Sequence, residues 1–179
     1  MRVITGSARG MTLKTLDGND VRPTTDRVKE AVFSAIQFET QGRRILDLFA
    51  GSGQLGIEAL SRGAKEAVFV DADKNAIRTV KENLAKTRLD ANASVLQTDS
   101  LAFLGMTDKT FDIVFLDPPY LTGLLQKALS RVEAHVADGG VVVCEHPCNE
   151  QLPEESGGLK KHKEYRYGKV AVTIYRKEG

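Results

Sequence analysis

Three glycines within residues 47–56, DLFAGSGQLG, follow an apolar segment and precede a helical one. They are Gly51, Gly53 and Gly56, in the spacing G-x-G-x-x-G. Glycines let a backbone turn sharply and come close to a ligand, which then lies at the N-terminus of the following helix. The flanking segments RILDLF and GQLGIEALSRG have the apolar patterns of a strand and a helix. A strand, a tight turn and a helix in this order predict a βαβ unit and therefore a parallel sheet.

The alternation of strand and helix continues along the chain. Further strands are predicted at EAVFVDA, ASVLQTD, FDIVFLD and GGVVVCEH, with helical patterns between them. The segment HPCNEQLPEESGG is predicted as a loop, and Gly168 then separates KHKEYRY and KVAVTIYR into an antiparallel pair. Together with RILDLF, these segments predict an α/β fold: a Rossmann-like, doubly wound, mostly parallel sheet of seven strands with helices on both faces.

The first 40 residues precede this alternation. RVIT and MTLKTL are short β-prone segments separated by GSARG, a pattern that indicates a β-hairpin. DRVKEAVFSAIQF repeats apolar residues at helical spacing, and Thr24 or Thr25 can cap that helix. We therefore expect residues 1–40 to form an extension packed on a main domain of residues 41–179.

Composition narrows the class of protein. With 179 residues, of which 41% are hydrophobic, the chain has the size and composition of one globular domain. No apolar run reaches the length of a transmembrane helix, the first residues do not resemble a signal peptide, and two cysteines are too few for a disulfide framework. We expect a cytoplasmic protein. Cys144, His146 and Cys148 in CEHPC have no distant partner in the sequence, so we expect no metal site.

The net charge of +1 conceals an uneven distribution of charged residues. Residues 1–44 carry 8 Lys and Arg against 5 Asp and Glu, and residues 157–179 carry 7 against 2. The centre of the chain is therefore acidic. Solvated surface charge accounts for this pattern, but so does a basic, phosphate-binding rim around an acidic site.

Two aspartates bear on the ligand of the glycine loop. Asp71 ends the next predicted strand, twenty residues after Gly51, where its carboxylate can accept hydrogen bonds from ribose hydroxyls. The loop and Asp71 suit a dinucleotide and S-adenosyl-L-methionine (SAM) equally well. Asp47, four residues before Gly51, favours SAM, because a carboxylate repels a pyrophosphate and attracts the ammonium group of a methionine moiety.

The sequence TDSL after the third strand offers a further contact. Asp99 can accept a hydrogen bond from an adenine amino group, and the amides of Ser100 and Leu101 can hold the edge of the ring. Taken alone, Asp99 is equally well explained as a helix cap. Its place in series with Asp47, Asp71 and the glycines favours ligand binding.

The strand FDIVFLD leads into Asp117, Pro118, Pro119 and Tyr120. If this strand is the fourth and RILDLF the first, a doubly wound sheet places them side by side where the winding reverses, which is where such sheets bind ligands. A nucleobase amine has two hydrogens, and Asp117 and the Pro118 carbonyl are two acceptors for them. The prolines stiffen these acceptors, and Tyr120 supplies a face for stacking a base. A rigid turn with an exposed acid is the simpler interpretation, and the glycine loop disfavours it.

These motifs resemble a known family. DLFAGSGQLGIEALSRGA with FVDAD, TDS and DPPY is similar to class I SAM-dependent amino-methyltransferases, and RVITGSARGMTL, RPTTDRVKEAVFSAI and YRYGKVAVTIYR narrow the resemblance to bacterial 16S ribosomal RNA guanine(966)-N2 methyltransferases. The resemblance covers nearly the whole chain and implies methyl transfer from SAM to the exocyclic N2 of a guanine, which Asp117, Pro118, Pro119 and Tyr120 would receive. The implied SAM-binding residues are Asp47, Phe49, Gly51, Ser52, Gly53, Asp71, Ala72, Asp99, Ser100 and Leu101.

The resemblance also implies an RNA partner, with an unpaired target base that a small-subunit particle presents in a hairpin loop. The basic candidates for phosphate contacts lie in the hairpin and around the start of the first helix: Arg2, Arg9, Lys14, Arg22 and Arg27. Three alternatives stay open. They are an adenine-N6 methyltransferase, an NAD-dependent oxidoreductase, and an RNA-binding module without activity.

Overall fold

The computed structural model describes residues 1–17 and 25–179 of the chain. Within these residues the α-helices are α1 (Asp26–Ala35), α2 (Gln54–Ser61), α3 (Lys74–Thr87), α4 (Ser100–Met106) and α5 (Leu124–Val132). The strands are β1 (Arg44–Asp47), β2 (Glu66–Asp71), β3 (Ala93–Gln97), β4 (Phe111–Leu116), β5 (Val136–Pro147), β6 (Glu155–Ser156), β7 (Leu159–Tyr167) and β8 (Val170–Lys177). Each of the seven predicted sheet strands overlaps an observed one.

Over the described residues, the strands form one sheet in the order β3-β2-β1-β4-β5-β8-β7-β6. The pairs among β1 to β5 are parallel, and β8 pairs with β5 in the antiparallel direction. The predicted doubly wound, mostly parallel sheet is confirmed. The predicted number of seven strands is wrong, because β6 lies within HPCNEQLPEESGG, the predicted loop, where Glu155 and Ser156 pair with Lys160 and Leu159. A strand of two residues is too short to leave a periodic pattern in a sequence.

Strand β4 shows how the sheet is buried on both faces. Ile113 and Phe115 pack in one hydrophobic core, and Val114 and Leu116 pack in the other. Successive residues of a strand point to opposite faces, so an uninterrupted apolar run requires a covering layer on each side. The helices provide those two layers.

The neighbouring strands β1 and β4 run in parallel at the centre of the sheet. Their register places Asp47 opposite Phe115, and the Leu48 N–H donates to the Phe115 carbonyl at 3.2 Å. The winding reverses between these strands, because β2 and β3 lie on one side of them and β5 lies on the other. As predicted, the glycine loop after β1 and the DPPY segment after β4 therefore leave the sheet side by side.

The N-terminal segment is less regular than the predicted hairpin. In its described part, one antiparallel bridge between Arg2 and Thr12 replaces two full strands. The intervening turn is bound to the end of α2, where the Ser61 carbonyl accepts from the Ser7 N–H and the Ser61 hydroxyl accepts from the Ala8 N–H. The N–H groups of Ile4 and Thr5, in the first predicted strand, also donate to α2, at the Glu58 carboxylate, instead of pairing across a hairpin.

A buried ion pair joins α1 to α2, and both of its side chains also bind the N-terminal segment. The Lys29 ammonium lies 3.3 Å from the Glu58 carboxylate, and both side chains are fully buried. Glu58 also accepts from the backbone N–H groups of Ile4 and Thr5, while Lys29 donates to the Arg2 carbonyl. Burial lowers the pKa of Lys29, and Glu58 opposes that change. Both charges are paired and hydrogen-bonded, so the first residues of the chain pack firmly on α2.

Helix α1 begins at one of its two predicted caps. The Thr25 hydroxyl accepts from the Val28 N–H at 3.3 Å, whereas Thr24 lies outside the described residues. The division into residues 1–40 and 41–179 stays a prediction. Within residues 1–17 and 25–179, no helix combines the length and the apolar character needed to cross a bilayer.

We expect Glu58→Ala to lower the free energy of unfolding by about 3–5 kcal/mol, because it leaves the Lys29 ammonium buried without its partner. Urea denaturation followed by circular dichroism measures this loss. The control is Glu178→Ala, which removes the exposed partner of Lys160, 3.1 Å away, and is expected to change stability little. Equal losses in the two variants would contradict a structural role for the buried pair.

Candidate active site

A cavity of about 340 Å³ opens at the carboxyl ends of the central strands. The residues on its wall that the sequence predicts are Asp47, Phe49, Gly51, Ser52, Asp71, Ala72, Asp99, Ser100, Leu101, Asp117, Pro118 and Pro119. The wall also contains residues that the sequence did not single out: Thr15, Leu16, Ala50, Gln54, Leu55, Asp73, Ala76 and Leu124. This volume is in the range of cavities that hold small organic ligands. The ends of the strands thus bring residues from separate loops to one cavity.

Gly53 and Tyr120 belong to the predicted motifs but do not line the cavity. Gly53 caps helix α2 with a φ of 83°, and a Cβ atom there would lie 3.2 Å from the Val80 side chain. The glycine therefore serves the turn and the close packing of α2 on α3. Tyr120 is half-buried and follows Pro119 just outside the cavity wall.

The N–H groups of the three glycines are already bonded within the protein. Gly51 donates to Asp71 Oδ2 at 2.9 Å, and Gly56 donates to Asp47 Oδ2 at 3.0 Å. Gly53 donates to a carbonyl of the same loop at 2.8 Å. Loops that bind pyrophosphate direct such groups at the phosphates instead. Two aspartates therefore occupy the Gly51 and Gly56 donors, and they add negative charge where a pyrophosphate would lie.

Asp47 is the most deeply buried acid on the cavity wall. Its side chain is 2% exposed, and loss of hydration raises its pKa to about 7. The hydrogen bond from Gly56 opposes this rise, and the neighbouring charge of Asp71 adds to it. A buried carboxylate that is half-ionised near neutral pH is a strong site for a cation, because pairing relieves the cost of its burial.

Asp71 connects the glycine loop to the start of α3. Its Oδ2 accepts from Gly51, and its Oδ1 accepts from the Asp73 N–H at 2.9 Å. Burial raises the pKa of Asp71, and these backbone hydrogen bonds oppose that rise. An ionised carboxylate has about four lone-pair sites, so both oxygens can still accept from ligand hydroxyls.

Gln54, the first residue of α2, is a cavity residue that the sequence reasoning missed. It is 8% exposed, and its buried Oε1 accepts no hydrogen bond from the described part of the chain. An unsatisfied buried acceptor is costly, so this atom indicates a ligand with a hydrogen-bond donor. The signal in the sequence was its place inside the glycine motif, at the start of the helix.

Asp99 is the helix cap that its sequence context allowed, and its role in ligand binding stays a prediction. It is the N-cap of α4, where its Oδ2 accepts from the Ala102 N–H at 2.9 Å, and it also lines the cavity. Ser100 is buried, and its hydroxyl donates to the Leu48 carbonyl at 2.6 Å. The backbone N–H groups of Ser100 and Leu101 lie in the first turn of α4, where a helix has no internal acceptors for them.

Asn83 on α3 joins the N-terminal segment to the glycine loop. Its Nδ2 donates to the carbonyls of Lys14 and Ser52, both at 2.9 Å, and its Oδ1 accepts from the Lys14 N–H at 2.8 Å. Thr15 and Leu16 follow directly and line the cavity. One buried amide therefore makes the first residues of the chain part of the site.

The chain matches a known family over nearly its whole length. Residues 1–176 match the family model described as Conserved hypothetical protein 95. The chain belongs to this family. Its relative YlbH of Bacillus subtilis is 44% identical over 100% of both chains. Ribosomal RNA small subunit methyltransferase D of Escherichia coli is 35% identical over 99% of this chain and 90% of its own.

A solved structure shows that the similarity includes the fold. The structure of yhhF from Escherichia coli is 36% identical, with a TM-score of 0.89, and the match covers 99% of this chain and 98% of the other. The predicted resemblance and fold class are confirmed by these relatives.

Four of the five predicted RNA contacts lie in the described residues, and all four are exposed. Arg2 lies 3.7 Å from the Asp26 carboxylate, and the Arg27 guanidinium lies 5.8 Å from the centre of the Tyr167 ring.

Arg9 is exposed in the N-terminal turn, and Lys14 pairs with Glu82 at 3.0 Å beside the cavity residues Thr15 and Leu16. Arg22 lies outside the described residues. The role of all five basic residues in binding RNA stays a prediction.

No residue of the CEHPC segment lines the cavity. Cys144 is fully buried in the core, where loss of hydration raises the pKa of its thiol. The ring nitrogens of His146 contact the Pro147 carbonyl and the Thr173 hydroxyl at 2.9 and 2.7 Å. Packing and hydrogen bonding within the sheet thus account for both residues.

We expect Asp47→Asn to stabilise the ligand-free protein, because Asn still accepts from Gly56 but carries no charge. The folded-state pKa of Asp47 is about 7, above the ordinary value of 3.8, so the unfolded chain ionises first and stability falls as the pH rises between these values. The Tm advantage of the variant should therefore grow from about pH 4 to about pH 7 and stay constant above, reaching several degrees.

Differential scanning calorimetry at pH 5 and pH 8 measures this advantage. Asp90→Asn, at an exposed position, is the matched control and should show no such growth. An advantage of Asp47→Asn that is equal at both pH values would contradict burial of charge as its cause.

Proposed function

We propose that the protein transfers a methyl group from SAM to the exocyclic N2 of a guanine in 16S rRNA. The observation that carries this proposal is a single cavity lined by the glycine loop after β1 and by Asp117, Pro118 and Pro119 after β4. A methyl donor and a nucleobase amine can meet in such a cavity. Five aspartates on the wall suit SAM, because its sulfonium and ammonium groups are both cationic.

The residues of the cavity wall fit SAM. The ammonium group has three N–H donors, which can satisfy both the buried Gln54 Oε1 and the Asp47 carboxylate. Asp71 has lone pairs left for the ribose hydroxyls, and Asp99 suits the adenine amino group. A pyrophosphate would bring further negative charge to these acids, which argues against the alternative of an NAD-dependent oxidoreductase.

SAM, when bound, supplies an electrophilic methyl carbon on a sulfonium centre, whose sulfur leaves as a neutral thioether. The protein has to position the guanine amine and make its lone pair available, because that pair is delocalised into the purine ring. Asp117 and the Pro118 carbonyl accept the two N2 hydrogens and turn the lone pair towards the methyl carbon. After the new N–C bond forms, N2 loses a proton, and the Asp117 carboxylate is the acceptor already in contact with it.

The loop after β4 holds these acceptors before the substrate arrives. Pro118 is buried and Pro119 follows it, so two successive φ angles are fixed. The Thr122 hydroxyl donates to the Pro119 carbonyl at 2.9 Å and so restrains the loop after the prolines. Tyr120, next to the cavity, offers an aromatic face for the guanine, and such stacking contributes about 1–3 kcal/mol per base.

The choice of an rRNA substrate is supported by a relative that is named ribosomal RNA small subunit methyltransferase D and is 35% identical over 99% of this chain. We assign guanine N2 on the same family relation. The target is an unpaired base in a small-subunit particle, since an unpaired base turns into a cavity at the lowest cost. Bacterial small-subunit rRNA is cytoplasmic, so we place the reaction in the cytoplasm.

Phosphates of the RNA would meet the basic N-terminal segment. Lys14 is the chain neighbour of Thr15 and Leu16 on the cavity wall, and Arg9 is exposed in the same segment. Arg2 and Arg27 extend this basic surface towards α1. Together they attract the RNA backbone to the side of the cavity where the base has to enter.

The proposal is tested with SAM carrying a labelled methyl group, offered to naked 16S rRNA and to small-subunit particles that lack the modification. We expect label in N2-methylguanosine at one position of the particle rRNA. Nucleoside mass analysis identifies the product, and primer-extension mapping identifies the position. Label in N6-methyladenosine would replace the proposed substrate by the adenine alternative, and no transfer to either RNA form would refute an rRNA methyltransferase.

We expect Asp117→Ala to reduce single-turnover methyl transfer by about 10²–10³-fold, because a preorganised hydrogen-bond partner of the reacting amine is lost. Binding of S-adenosylhomocysteine, measured by isothermal titration calorimetry, should change less than about threefold, since Asp117 contacts the base. The matched control is Asp108→Ala, at an exposed position before β4, with unchanged activity expected. Full activity of Asp117→Ala on its natural RNA would overturn the mechanism.

A further inference from the structure

Leu121, directly after the DPPY segment, has an unusual backbone conformation. Its φ is +62°, in the left-handed region, where the Cβ atom of an L-residue clashes with the following carbonyl oxygen. Within residues 1–17 and 25–179, Arg88 is the only other non-glycine residue with a positive φ, and it caps the C-terminus of α3, a common place for that conformation. Leu121 caps no helix C-terminus, so the end of a helix does not explain it.

The side chain of Leu121 adds a second cost. It is 91% exposed, so its apolar surface gains nothing from burial in the fold. Single exposed apolar residues are common, and Phe38 is equally exposed. Phe38 does not have a positive φ, however. At Leu121 both the backbone and the side chain disfavour leucine for folding, and such sites indicate a functional constraint.

Leu121 lies at the rim of the cavity. Pro119 and Leu124, on either side of it in the chain, both line the wall. The Thr122 hydroxyl joins them, because it donates to the Pro119 carbonyl at 2.9 Å and accepts from the Leu124 N–H at 3.4 Å. The loop is thus closed on itself, and Leu121 is its exposed apex.

We propose that Leu121 is an apolar wedge that enters the RNA base stack beside the target guanine and fills the space which that base leaves. This rests on the proposed function, because it assumes that an RNA base turns into the cavity next to this loop. A base leaves the stack at a cost in stacking energy, and apolar side chains inserted between bases offset such a cost. The left-handed backbone fixes the direction of the Leu121 side chain in the folded protein. Less conformational entropy is therefore lost when RNA binds.

The test is Leu121→Asn, because asparagine tolerates the left-handed conformation and is polar. We expect opposite effects on folding and on activity. The Tm should rise by about 2–4 °C as strain is relieved, and the affinity for S-adenosylhomocysteine should stay unchanged in calorimetry. Single-turnover methylation of the RNA substrate identified by mapping should fall at least tenfold.

A fluorescent base analogue measures directly whether the target base leaves the stack. An RNA loop carrying 2-aminopurine in place of the target guanine gains fluorescence when that base leaves the stack. We expect this gain with the parent protein and a much smaller one with Leu121→Asn at saturating protein. Leu121→Met keeps an apolar side chain and should retain the gain and the activity.

The matched control is Phe38→Asn, which removes an equally exposed apolar side chain at a residue without a positive φ and should leave methylation unchanged. A fully active Leu121→Asn, or a fluorescence gain equal to that of the parent, overturns the wedge. Loss of activity on the particle but not on naked RNA means that Leu121 contacts a ribosomal protein, and it overturns the wedge too. If the parent methylates no RNA, the proposed function itself fails, and the wedge fails with it.

Discussion

The parallel pairing of β1 with β4 is the constraint on which the site depends. It sets Asp47 opposite Phe115, so the glycine loop and Asp117 leave the sheet at adjacent points. Neither strand would form this edge alone, since each needs the other to satisfy its backbone and to be covered on both faces. The apolar run of β4, packed in two separate cores, therefore determines where a methyl donor and a base can meet.

Burial gives the cavity its chemical character. Removing Asp47 and Asp71 from water raises the pKa of both, and the glycine-loop amides partly offset that cost by hydrogen bonding. The same bonds occupy the N–H groups of Gly51 and Gly56. A loop with the spacing of a dinucleotide site thereby becomes acidic and selects a cationic ligand. In the proposed function, the buried charge of Asp47 lowers the stability of the ligand-free protein and strengthens the binding of the cationic methyl donor, which compensates that charge.

Much of the site could be predicted because its residues belong to short motifs at the ends of predicted strands. Gly51, Asp71 and Asp117 are of this kind. Thr15 and Leu16 could not be predicted, since they reach the cavity through Asn83, which contacts Lys14 across 69 positions of the chain. Gln54 lay within a motif, but only its unsatisfied buried oxygen distinguishes it. The conformation of Leu121 depends on the closed loop around it and has no signal in the composition.

The sequence by itself determined the alternation of strands and helices, the turn at the glycines, and the acids that end the strands. These features depend on local periodicity and on residue types that act over a few positions. The tertiary structure alone decided the small strand β6, the reduction of the hairpin to one bridge, and the inclusion of the first residues in the cavity wall. The Lys29–Glu58 pair decides the second of these features and the Asn83 amide decides the third, both through contacts between distant residues. Such contacts are set by which buried groups can satisfy one another once the core has formed, and no local pattern encodes that.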